Sequence, residues 1–92
     1  MLLLVAYDLH NPGRSYPPVE QAIKEAGNAW AHIEGSVWIV DTLLGTQEVM
    51  ERVRAAADAN DTVFVVRLQH DWWSVSLSAG VVDWLKDPAR RW

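Results

Sequence analysis

Asp8 closes the apolar run "LLLVAYD", and His10, Arg14 and Tyr16 follow within eight residues of it. Together these side chains hold the parts of a phosphate chemistry. Mg²⁺ is content with one or two carboxylates completed by water and phosphate oxygens. A cation so held neutralises charge on a phosphoryl group and readies a water for attack. The planar fork of Arg14 suits a phosphate, and the imidazole of His10 moves a proton near neutral pH. A plainer reading stands beside this one. An Asp at a strand end caps the following turn through its neighbours' N–H groups. On that reading His10 and Arg14 are solvated loop side chains, and Tyr16 packs at the start of a helix.

The remaining candidates are weaker. His32 and Glu34 alternate with Trp30 along "AWAHIE", but a metal site there lacks a third ligand nearby. His70 and Asp71 are adjacent, and adjacent strand residues point to opposite faces, so only a turn makes them a pair. Trp38, Trp72, Trp73 and Trp84 offer ring faces on which unpaired bases stack. That use wants interleaved cations, and "HDWWSVSLSAGVVDW" holds no Lys or Arg. A dry protein interface or core accounts for these rings better, and an interface is the expectation for all four. "ARRW" is the one basic cluster and reads as a solvated terminus.

The elements that must position Asp8 follow from local pattern. Residues 2–8 suit a central strand buried on both faces. Asn11-Pro12-Gly13 marks a turn, and Pro17-Pro18 with Glu20 opens a helix. Its apolar stripe is Val19, Ala22, Ile23 and Ala26, and Gly27 stops it. "AWAHIE" and "SVWIVDT" alternate as two strands joined by a tight turn at Gly35-Ser36. Thr46 is the expected N-cap of a second helix with the stripe Val49, Met50, Val53, Ala56 and Ala57. "DAND" breaks that helix, and "TVFVVRL" is a fourth strand. A short helical stripe of Val81, Val82, Trp84 and Leu85 lies in the tail before Pro88.

The order βαββαβ predicts an α+β fold with a four-stranded antiparallel sheet and both helices on one face. Right-handed crossovers set the first and third strands side by side in its middle. Asp8 then ends a central strand, and the opposite face is left bare as a surface for a second copy. We expect one domain, with a core over about residues 2–68 and a C-terminal extension over about 69–92.

Composition limits the function. A 92-residue chain buries roughly 60–65% of its unfolded surface. Half its residues are apolar and six are Trp, a load that favours self-association. With no Cys, thiolate catalysis and cysteine zinc sites are excluded. "MLLLVA" lacks a basic flank and is too short to span a bilayer, so a cytoplasmic protein without a membrane anchor is expected. Twelve acids against eight bases, a net charge of −4, argue against a simple basic nucleic-acid binder. A nuclease with few, metal-mediated phosphate contacts remains compatible.

"YDL", the "HNPGRSY" loop, "SVWIVDT" and "DANDTVFVVRL" resemble, in order and spacing, the CRISPR-associated protein 2 superfamily. That superfamily takes in VapD toxins and small SinR-like proteins, and the SinR-like branch is the closer match, over roughly residues 2–68. The resemblance implies a ferredoxin-like homodimer. It also implies that the Asp ending the first strand, here Asp8, faces its symmetry mate. The two then hold one divalent ion, Mg²⁺ or Mn²⁺, for phosphodiester hydrolysis in RNA or DNA. The carry-over stops at Asp8, because the basic residues that help such relatives hold nucleic acid are sparse in this chain. Other members of that family are non-catalytic scaffolds, and fold alone does not decide function. Two functions are therefore expected: a metal-dependent nuclease, or a non-catalytic dimeric module that binds another protein in a defence, counter-defence or toxin–antitoxin setting.

Overall fold

The opening run has no charged residue before its last position, and it forms strand β1 (Leu2–Asp8) in the centre of a sheet. The computed structural model describes residues 1–9 and 17–92. After β1 come α1 (Pro17–Glu25), β2 (Ala29–Glu34), β3 (Val37–Asp41), α2 (Thr46–Ala56), β4 (Thr62–Arg67) and α3 (Ala79–Lys86). The strand order is β2-β3-β1-β4, and every neighbouring pair is antiparallel. This is the α+β, ferredoxin-like arrangement expected from the order of elements, with β1 and β3 side by side.

The two-residue period of β1 divides its side chains between two layers. Leu3, Val5 and Tyr7 are buried with Trp38 and Val40 of β3. α1 closes that layer with Val19 and Ile23, and α2 closes it with Val49 and Val53, the stripe positions of each helix. Each such side chain contributes about 1.5–3 kcal/mol by leaving water. Two details of local chemistry differ from expectation. Gly45, not Thr46, occupies the N-cap of α2, and no side chain caps that end. A bulge between His32 and Glu34 shifts the β2–β3 register, so strict alternation along "AWAHIE" ends there.

The face opposite α1 and α2 is not bare. α3 and its flanking segments fold back over one half of it, where Leu85, Trp84, Trp72 and Leu77 pack with Leu2 and Ile39. The physical reason is proximity. An apolar stripe tethered to the same chain meets the sheet at a far higher effective concentration than any partner does. Ser78 begins α3 as its N-cap, its Oγ accepting the Val81 N–H at 3.3 Å. The other half stays open. Phe64 and Val66 of β4 pair with Ala6 and Leu4 of β1 and are 59% and 37% exposed.

Two glycines are required by geometry. Gly35 has φ +34° in the β2–β3 turn, a left-handed conformation that side chains with a Cβ avoid. A Cβ on Gly27 would lie 2.3 Å from the Asp41 carbonyl oxygen, so the link from α1 to β2 passes the end of β3 only without one.

Candidate functional site

Asp8 ends β1 exposed, opposite Thr62, at the rim of the sheet. Because alternate positions share a face, Asp8 lies on the same face as Ala6 and Leu4. That is the helix-free face, and its open half. Around this rim the Tyr7 N–H donates to the Ser36 carbonyl at 3.1 Å, which ties the hairpin to β1. Asp61, next to Thr62, accepts the Asp58 N–H at 2.8 Å and shapes the entry to β4. The rim is therefore acidic. His10, Arg14 and Tyr16 lie outside the described residues. Among the described residues no group of three or more His, Asp or Glu side chains is placed to hold a metal ion.

The interface expectation for Trp38 is corrected. Trp38 is 2% exposed and sits in the core beneath the two helices. Its Nε1–H donates to the Tyr7 Oη at 3.2 Å, and the His32 ring stacks on it at 3.9 Å and 6°. Period-2 alternation groups Trp38 with Val40 correctly but does not say which group faces the helices. His32 is taken up locally as well: its Nε2–H donates to the Gly35 carbonyl at 2.7 Å. Trp72 and Trp84 are half-buried against the sheet by their own chain, whereas Trp73 stands 96% exposed. The four rings thus hold three different positions.

Tyr7 gives this core a dependence on pH. Burial pushes its phenol above the ordinary value of 10.0, assisted by the charge of Glu20 and opposed by the Trp38 hydrogen bond. The folded protein therefore holds the phenolic proton more tightly than the unfolded chain. That contribution is fully present below pH 10.0 and is lost as pH rises through the higher folded value. The expected result is a melting temperature that declines as pH climbs past about 10. Tyr7→Phe should lack the Tyr7 share of that decline, and thermal melts of both proteins across alkaline pH check it.

The largest departure from expectation lies at the opposite rim. Asp41, at the end of β3, is 3% exposed. Arg90 Nη1 approaches its Oδ2 at 3.9 Å, Arg91 Nε its Oδ1 at 3.8 Å, and the Met1 amino group its Oδ1 at 3.7 Å. The Arg91 backbone N–H donates to Oδ2 at 3.2 Å. Arg90 is itself 12% exposed and lies over the Trp84 ring at 4.3 Å. His70 and Trp92 stack at 4.6 Å and 11°. "ARRW" is thus no solvated terminus but the clasp that holds the extension against the sheet. The one available signal was an Asp inside an apolar strand, which requires cations if buried.

Between the extension and the helix-free face lies a cavity of about 490 Å³. Leu4, Ile33 and Ile39 form its floor, and Trp72, Leu77 and Leu85 wall it from the extension. Glu34, brought there by the bulge, stands on its border with Arg67 and Asp71. Its size and its mostly apolar lining fall within the usual range of binding pockets.

No family model matches the chain. Among the described residues no helix is long and apolar enough to cross a membrane. What fold and site define together is a class: a ferredoxin-like domain whose second face is half covered by its own C-terminal extension and half open, with Asp8 and Asp61 at the open rim.

Proposed function

We propose that the chain works as a homodimer of the CRISPR-associated protein 2 kind, joined through the open half of the helix-free face. In this reading Asp8 of each copy contributes a carboxylate to one Mg²⁺ or Mn²⁺ for phosphodiester hydrolysis in RNA or DNA. One observation carries it. The β1–β4 register sets Asp8 two residues beyond Ala6, the partner of the exposed Phe64, on the same face. That spacing is about 7 Å along the strand. A second copy that covers Phe64 and Val66 about a two-fold axis running along β1 brings its own Asp8 to the same rim. One carboxylate from each copy meets the minimum that Mg²⁺ requires of a protein. The ion, when bound, supplies charge neutralisation at phosphorus and an activated water.

The net charge of −4 favours a second reading, a non-catalytic dimer that binds another protein through this face. Incubation of RNA and DNA with Mg²⁺ or Mn²⁺, comparing wild type with Asp8→Asn, separates the two. The nuclease reading expects cleavage by wild type and a loss of roughly 10²-fold or more in the variant, because the ion contributes several kcal/mol. Equal cleavage by both proteins sinks it. A wild type that dimerises and cleaves neither substrate leaves the binding module.

A further inference from the structure

We infer that the cavity between sheet and extension binds a small organic cation, an ammonium group carried on an apolar or aromatic body. The site lies in the covered half of the helix-free face and needs no contact between copies.

The walls select the body of the ligand. Three indoles, Trp72, Trp73 and Trp92, surround the aliphatic floor. The volume of about 490 Å³ lies within the usual range for small-molecule pockets, about 300–1,000 Å³. Trp73 lines the cavity and is 96% exposed, so it stands at the mouth with its ring open to an entering molecule. Of the aromatic side chains, Trp attracts a cation most strongly.

The border selects the sign of the charge. Glu34 lies opposite Val37, which pairs with Ala6, so register sets it on the helix-free face. Asp71 is held beside Trp72 by a tight turn in which its N–H donates to the Gln69 carbonyl at 2.8 Å. Among the described residues neither carboxylate has an ion pair or a side-chain hydrogen bond. The neighbouring cations are directed elsewhere. Arg67 pairs with Leu3 of the helix-side core, so its side chain leaves on the other face. Lys86 lines a different recess, of about 360 Å³, with Val82. His70 stacks on Trp92 at 4.6 Å, and Arg90 lies over Trp84 at 4.3 Å. An anion would meet two unpaired acids here, and a neutral molecule would leave them unused. A cation with an apolar body satisfies rings and acids together.

NMR titration of the full chain, read at the indole N–H signals, tests this with phenethyltrimethylammonium, 2-phenylethanol and 3-phenylpropionate. The cation should shift the signals of Trp72, Trp73 and Trp92 and leave that of the enclosed Trp38 in place. It should bind at least roughly tenfold more tightly than the carboxylate. Glu34→Gln combined with Asp71→Asn removes two exposed charges without touching the core. That variant should bind the cation about fivefold more weakly and the alcohol as before. Trp73→Ala should also weaken the cation, since it opens the mouth. Equal binding of the three probes, or a preference for the carboxylate, overturns the assignment of charge. Shifts confined to other tryptophans, or none with any probe, overturn the site. A Trp73 signal that moves with protein concentration and is unaffected by the cation means that a second copy fills the cavity, which overturns it too.

Discussion

Replacement of Asp41 by alanine is expected to lower the folding free energy by about 3 kcal/mol and to loosen the C-terminal extension from the sheet. Removing one partner of a buried ion pair leaves the other as an uncompensated buried charge, which commonly costs about 3–5 kcal/mol. Arg90 is that other partner, being only 12% exposed. The residual access of water to it sets the expectation at the low end. Arg91 is 51% exposed, so its own pairing is screened, and Arg91→Ala should cost under about 1 kcal/mol. Asp41→Asn keeps the shape and removes the charge, so it should behave like the alanine variant if charge is the cause. Against a total stability of about 5–15 kcal/mol for a small domain, the change is large. Urea unfolding measures it. Tryptophan emission reports the release of the extension, because Trp84 and Trp92 pack in the layer the clasp holds down. A loss near zero would show that Leu2, Ile39 and Leu85 hold the extension without Asp41.

Trp38→Ala should cost about 3–5 kcal/mol, the usual range for an aromatic side chain removed from a closed core. Trp38 is the largest of the fully buried side chains. It meets both helices' layer, the Tyr7 hydroxyl and the His32 ring, and the Trp30 ring lies 5.4 Å away. Trp38→Phe keeps most of the apolar contact and forfeits the bond to Tyr7, so about 1–2 kcal/mol is expected there. Thermal melts of these variants beside Trp73→Ala make the comparison direct. Two tryptophans in one small domain should differ by several kcal/mol, because one is enclosed and the other stands in solvent.

Local pattern in this chain carries most of its architecture. The apolar run of β1, the stripes of α1 and α2, the hairpin glycine at position 35 and the stripe of the short α3 are all neighbour-to-neighbour properties. They depend on which residues share a face, and period 2 or 3.6 determines that within a few positions. Asp8 at the tip of a central strand follows from the same information, through the order of elements and the handedness of crossovers.

The sides and partners of those faces lie beyond local pattern. Whether Trp38 turns toward the helices or away from them depends on how β3 sits against β1, a relation between residues more than thirty positions apart. Asp41 meets Arg91 across fifty positions, and no local property of "ARRW" or "SVWIVDT" marks them as a pair. The extension covers half a face because a tethered apolar helix reaches the nearest apolar surface first. By itself, then, the sequence determined the elements, their order and the acid at the central rim, since these follow from short-range periodicity and turn chemistry. Only the tertiary structure decided which tryptophans are core, what shields the second face and which buried acid anchors the tail. Those outcomes turn on burial and charge pairing between segments that the chain must first bring together.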